Sequence, residues 1–543
     1  MRTTAIVAAF LCVSALWAQK MSTPKPAFLM EGLSNLHHPV STKNAEAQQF
    51  FDQGLRLVYA FNHDEATRSF RHAAELDRKL AMAWWGVALA VGPNYNLPVD
   101  PDHEKVAVEA VEKARALSAG ATAIERDYIE AIAQRFSSDA KPDYHQLDVN
   151  YSKAMGELTR KYPDDLDAAT LYADSLMNLR PWKLWNADGT PAEGTPEIVA
   201  TLEGVLRRDP NHIGAMHLYI HAVEASPHPE RALPYADRIA ALAPAAGHLV
   251  HMPAHIYERT GNFDGARAQN VAAAKADEAY AAASGSQGMY MAMYYSHNLH
   301  FGAVSASMQG RCAEAKSQAD RLAENLRPMA KEMPMVEPFL GIQFAIAVRC
   351  QRWDDLLGMS EPQSQTAALK AAWLYGHGMA LVARGKMTEA EEMRKQLAVV
   401  ESSVPRDEIF MPPVENHSWQ IYHIANQILG ARIAEAKGDR TTAISLLRDA
   451  VTTQDQLLYN EPADWYYPVR ESLGSMLLQA GDAKAAEQVF REDLERNPRN
   501  PRSLFGLTES LGQQGRDYEA SWVRQQFETA WQGADIDLKI ADL

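Results

Sequence analysis

The chain carries none of the short signatures of the common enzyme chemistries. There is no HExxH zinc-protease motif, no G-x-S-x-G elbow, no P-loop, no G-x-G-x-x-G after a strand and no CxxCH haem site. Their absence leaves open a metal-dependent hydrolase or oxidoreductase built on a less familiar frame. Cysteine is scarce, with only Cys12, Cys312 and Cys350. Long low-complexity tracts and strand-like alternation bounded by hairpin turns are also missing, which sets aside disorder and an all-β architecture. Basic residues are outnumbered, and the net charge of −16 argues against a nucleic-acid backbone or an anionic membrane as the main partner.

Long apolar runs are lacking as well, apart from residues 5–18 behind Arg2. That run is short for a membrane span and reads as a secretory signal, with cleavage after Ala18 or Ala15. Cys12 lies inside it, but Ala9-Phe10-Leu11 is a poor lipobox. The expectation is a periplasmic or secreted mature chain without a transmembrane segment. In such a compartment Cys312 and Cys350 either form a disulfide or remain buried free thiols.

What is present is a repeat. Of the 543 residues 47% are apolar, enough for one long repetitive core or several smaller ones. Small residues and turn glycines recur with a period of 34 residues. The segment Tyr467 to Pro498 has Gly474, Gly481, Ala486 and Phe490 as landmarks, and the next unit, from Pro501, has Thr508, Gly515, Ala520 and Arg524 in the same slots. The same ruler fits units starting at Ala47, Ala81, Ile213, Gly247, Ser296, Ala371 and Ile424. Small side chains let two helices approach closely, and a glycine near position 15 ends the first helix in a tight turn. In these residues the chain resembles the tetratricopeptide repeat family. The resemblance implies an all-α fold, a right-handed superhelical α-solenoid of helical hairpins, in which the first helix of each pair lines a concave groove. It covers most of residues 45–530, with irregular stretches near 100–160, 180–195, 276–295 and 400–416. The expected organisation is a signal at 1–18, an extension at 19–44, a solenoid at 45–395, an irregular connection at 396–423 and further repeats at 424–543.

Histidines occupy the groove slots of three units. The unit from Ile213 places His217 at position 5, His221 at 9 and Glu224 at 12; the unit from Gly247 places His248 at 2, His251 at 5, His255 at 9 and Glu258 at 12; the unit from Ser296 adds His297 and His300. Histidine thus fills seven of nine slots at positions 2, 5 and 9, although the whole chain has only 18. The pattern expects a histidine-lined groove at 213–310. Imidazoles four residues apart on a helix can converge on one ion, with Glu224 and Glu258 as ligands or supporting acceptors. Copper, zinc and iron are the candidate metals. An ion held there serves storage, sensing or catalysis. Asp174 faces the same groove if the preceding helix starts near Leu166. The alternative is a groove in which the histidines, Tyr257 and Arg259 hold a peptide, a protein segment or a small anionic ligand without metal. Pro253, between His251 and His255, is expected to kink or restart the helix. The stretch from Ala246 to Tyr257 also looks like one found in exported bacterial repeat proteins of unassigned activity. Two loops lie at the rim. Gly92-Pro93-Asn94-Tyr95-Asn96 reads first as a turn, and Arg180-Pro181-Trp182-Lys183-Leu184-Trp185 inserts where it either caps the groove or simply buries its own tryptophans.

Overall fold

A computed structural model describes residues 25–286 and 288–543. The expected signal at 1–18, with Cys12, lies outside the described residues. The described chain is all-α, with three isolated bridges as its only β pairing. None of its helices is long and apolar enough to cross a membrane. Successive helices pack on one another as hairpins, as in Ala45–Tyr59 with His63–Leu76 and Ala483–Arg496 with Pro501–Gln513. Connections of three or four residues leave such neighbours no choice but to run antiparallel.

The small-residue slots have a direct physical purpose. The ring of Phe70 lies between Gly54 and Gly86, and a Cβ on either glycine would overlap it. Phe490 sits in the same way between Gly474 and Gly506. One buried phenyl thus locks three consecutive helices, a contact that pays for the helix-weakening glycine. The turn glycines also fall where the ruler puts them: Gly261, Gly310, Gly385, Gly438, Gly481 and Gly515 all have φ between 70° and 86°, a region that L side chains avoid.

The stretch near 100–160 departs from the repeat yet remains helical, as Pro101–Leu117, Ala123–Ile132 and Tyr144–Lys161. Local capping explains why. Asp100 caps a helix whose first residue is Pro101, Thr122 and Glu125 form a reciprocal capping box, and Asp143 accepts from the Gln146 N–H.

The chain forms two compact units. The first comprises the described residues up to Ile256 together with Ala272–Tyr295; the second comprises Tyr257–Val271 and Ser296–Leu543. In the second, Cys312 and Cys350 are joined in a disulfide, with Cα atoms 5.7 Å apart. The division runs through the histidine row: His217, His221, His248, His251 and His255 belong to the first unit, His297 and His300 to the second.

Candidate metal centre

The first unit gathers five histidines into a single buried nest. Its floor is the helix Ile213–Glu224, started by His212, whose Nδ1 accepts from the Ala215 N–H at 3.1 Å. Four-residue spacing puts His217 and His221 on one face, and Glu224 follows one turn later. The next repeat supplies His248 and His251 from Gly247–His251 and His255 from Pro253–Arg259. Pro253 starts the second of these segments, where its missing N–H costs nothing, so the proline restarts the helix between His251 and His255. Gly247 allows close approach from the other side, since a Cβ there would overlap the Asp277 carboxylate.

Hydrogen bonds at His217 and His221 fix which nitrogen of those rings is turned inward. His217 Nδ1 donates to the carbonyl of Tyr59 at 2.7 Å, an acceptor left over at the end of the Ala45–Tyr59 helix. His221 Nδ1 donates to Glu224 Oε1 at 3.0 Å, and His255 Nδ1 lies 2.8 Å from Glu224 Oε2. A neutral imidazole that donates through Nδ1 presents a lone pair on Nε2. His217 Nε2 lies 3.0 Å from His248 Nε2, and His251 Nε2 lies 2.7 Å from His255 Nε2. The Nε2 of His221 is buried without a hydrogen-bond partner among the described residues, as is the Nδ1 of His248. One ligand nitrogen from each of His217, His221 and His248 falls within 4.8 Å of the others.

Electrostatics keep His217 and His248 neutral. Burial, reinforced by the neighbouring imidazoles, pushes the pKa values of His217 and His248 far below the ordinary histidine value. Burial alone would raise Glu224, but His255 and His221 outweigh it and hold the carboxylate below its usual range. The carboxylate therefore accepts from His221 Nδ1 and pairs with His255 Nδ1 across 2.8 Å.

An aromatic shell closes the nest. The Phe61 ring lies 4.4 Å from that of His217, 5.3 Å from His248 and 5.9 Å from His221. Phe61 occupies position 15 of its repeat, the slot where other repeats carry the turn glycine, and it adopts the same left-handed backbone, with φ 53°. A phenylalanine there costs about 1–2 kcal/mol, which the covering of three imidazoles offsets. The two rim loops meet over His221. Tyr95 stacks on Trp182 at 5.4 Å and lies 5.3 Å from the His221 ring, while Trp185 anchors its loop by donating to the Ala222 carbonyl at 2.8 Å. Tyr294 packs on His248 at 4.8 Å. The Phe61→Gly variant should relax the turn yet unroof the nest. Diethyl pyrocarbonate should then modify His217 and His221 several-fold faster than in the parent, and an unchanged rate would contradict the covering role.

Asp174 lines a cavity of about 20 Å³ together with His217, Tyr59, Phe61 and His63, room for one water molecule. Burial raises its pKa to about 6. His63, at the start of a second helix, is half-buried there, and desolvation lowers its pKa to about 4.

The remaining sequence candidates lie in the second unit. His300 Nε2 is 2.9 Å from the Tyr466 hydroxyl, and burial lowers its pKa to about 3. His297 is half-buried, with its ring edge on Phe301. Glu258 accepts from Ser305 Oγ at 2.9 Å, and Arg259 lies over the Tyr459 ring. Tyr257 is half-buried at the start of the second unit.

Sequence reasoning missed a bracing network next to the nest. The buried Asp167 carboxylate accepts from His38 Nδ1 at 2.8 Å, from His212 Nε2 at 3.1 Å and from the Tyr59 hydroxyl at 2.7 Å. Tyr59 thereby joins this carboxylate to the backbone carbonyl that orients His217. Gly214 permits the contact, because a Cβ there would overlap the Tyr59 ring. The sequence offered a signal for Phe61, an aromatic in a glycine slot. It offered none for Asp167, whose partners come from distant segments.

Comparison with known proteins adds little to this geometry. No protein-family model matches the chain. A 95-residue stretch is 41% identical to the cellulose synthase operon protein C of Xanthomonas axonopodis pv. citri (strain 306), covering 18% of this chain and 6% of that relative. The match thus spans only a small fraction of the relative's length. Among solved structures, the chain is similar to the human IFIT1 dimer with m7Gppp-AAAA, at TM-score 0.34 and 12% identity over 90% of this chain and 91% of that one. It is similar also to yeast Tom70, at TM-score 0.29 and 11% identity over 90% and 91% of the two chains. The repeat slots, rather than these distant likenesses, make the chain resemble tetratricopeptide-repeat proteins.

Proposed function

We propose that this is an exported helical-repeat protein whose first unit binds a transition-metal ion through the Nε2 atoms of His217, His221 and His248. His251 and His255 offer a second pair of Nε2 atoms in the same nest. The observation that carries the reading is the bracing pattern: His217 and His221 donate through Nδ1 to the Tyr59 carbonyl and Glu224 Oε1, and Glu224 Oε2 stands 2.8 Å from His255 Nδ1. Outer acceptors of this kind set the tautomer and ring direction of metal-bound histidine. A buried nitrogen left without a partner, such as His221 Nε2, costs about 1–3 kcal/mol, and a bound ion would offset that cost.

An imidazole donor set without thiolate suits copper, zinc or iron. Export is supported by the signal-like run at residues 5–18 and by the disulfide between Cys312 and Cys350, which persists in oxidising compartments. The rival reading, an extended peptide held directly by these histidines, is disfavoured by their burial. None of the five is more than 2% exposed, so an ion fits where a peptide backbone does not.

Metal analysis of the natively purified full chain tests the proposal. A near-stoichiometric copper, zinc or iron content is expected, with re-binding after chelation. Protein that is metal-free and also fails to take up all three ions on titration would sink it.

A further inference from the structure

The second unit contains a cavity of about 80 Å³ whose lining differs in kind from the histidine nest. Aromatic rings make up much of its wall: Tyr375, Phe410, Tyr422, Trp465, Tyr466 and Tyr467. They brace one another edge to face, with Tyr375 and Trp465 at 5.5 Å and 70°, and Phe410 and Tyr422 at 6.2 Å and 80°. One carboxylate, Asp464, reaches this wall.

Asp464 is buried, and amides alone hold it. Its Oδ2 accepts from Asn416 Nδ2 at 2.7 Å and its Oδ1 from Asn460 Nδ2 at 2.8 Å. Asn416 is itself pinned to the Leu458 backbone, whose N–H donates to its Oδ1 at 2.7 Å. Among the described residues, no lysine, arginine or histidine forms an ion pair with Asp464. Of the guanidinium groups near this wall, Arg349 is held bidentately by Glu471, Arg432 pairs with Glu435, and Arg502 donates to the Asp542 and Arg349 carbonyls. Burial raises the Asp464 pKa to about 6, as expected of a carboxylate short of positive charge.

A buried anion beside electron-rich ring faces suits one ligand chemistry above others. An organic ammonium ion offers a diffuse positive charge to the rings and a counter-ion to the carboxylate, and its alkyl groups fill the apolar remainder. The Arg349 guanidinium sits 4.4 Å over the Tyr467 ring, the geometry in which a ring face attracts a cation. We propose that this aromatic cavity is a binding site for a small organic ammonium ion, with Asp464 as its counter-charge and Trp465 and the tyrosines as its cage. The site lies wholly within the second unit and stands independently of the metal proposal.

Calorimetric titration of the full chain with choline, tetramethylammonium and the neutral choline isostere 3,3-dimethylbutan-1-ol tests it. Both cations should bind, and the alcohol should bind at least about tenfold more weakly, the difference that some 1.4 kcal/mol of charge recognition produces. The near-isosteric Asp464→Asn variant should remove that preference while leaving the weak affinity for the alcohol unchanged. Equal binding of cation and alcohol by the parent chain would overturn the proposal, as would the absence of cation binding at millimolar concentrations. The parent-chain comparison decides the matter even if Asp464→Asn fails to fold.

Discussion

Replacing His221 and His248 together by alanine should weaken copper or zinc binding by more than about 100-fold, beyond what loss of a single outer-shell partner usually costs. The substitution removes two of the three converging nitrogens and leaves His217 alone on its Tyr59 tether. Isothermal titration after chelation measures the loss, with far-UV circular dichroism confirming that the helices persist. Affinity equal to the parent in a well-folded double variant would place the ion elsewhere. Glu224→Gln provides the graded companion. The amide has one oxygen and no charge, so it cannot both accept from His221 Nδ1 and pair with His255 Nδ1, and a loss of about 10–100-fold is expected. If it binds as the parent does, the carboxylate does not orient these rings.

The second large effect is on stability. Asp167→Ala should destabilise the first unit by about 3–5 kcal/mol, because it leaves His38, His212 and Tyr59 buried around a missing acceptor. Urea denaturation followed through a first-unit probe would show it, and a loss below about 1 kcal/mol would mean that the network relaxes freely. The effect should depend on pH with a definite sign. Burial alone lowers the pKa of His38, but the hydrogen bond and charge of Asp167 outweigh it and raise the pKa above the ordinary value. Its contribution is therefore complete below about 6.5 and fades as pH rises through the folded-state value. Without Asp167, burial dominates and the sign reverses, so the variant should lose stability as pH falls below 6.5. The deficit relative to the parent should thus be larger at pH 6 than at pH 8. Metal affinity should also fall, since Tyr59 presents the carbonyl that orients His217.

Much of this was legible in the chain. The 34-residue ruler located the hairpins because each repeat must offer the same small slots to its neighbour, as Gly54 and Gly86 do to Phe70. It located the turns because positive φ selects glycine, as at Gly261 and Gly481. It put His217 and His221, and His251 and His255, on shared faces because helical periodicity fixes direction around an axis. Pro253 stood out as a point where the helix kinks or restarts, and the loop Arg180 to Trp185 as an insertion able to cap the groove.

The reach of that reasoning ends where one helix meets a distant one. His217 takes its tautomer from Tyr59, 158 residues earlier in the chain. Glu224, expected as a ligand or a support, became a brace because the next repeat delivered His255 to its second oxygen. The row of seven histidines divided between two compact units because compactness depends on long-range packing, which a 34-residue ruler does not register. By itself, the sequence determined an all-α repeat and the faces on which the imidazoles lie. The tertiary structure decided which nitrogens converge, which carboxylates hold them and what excludes water, because these are relations between segments that periodicity leaves free.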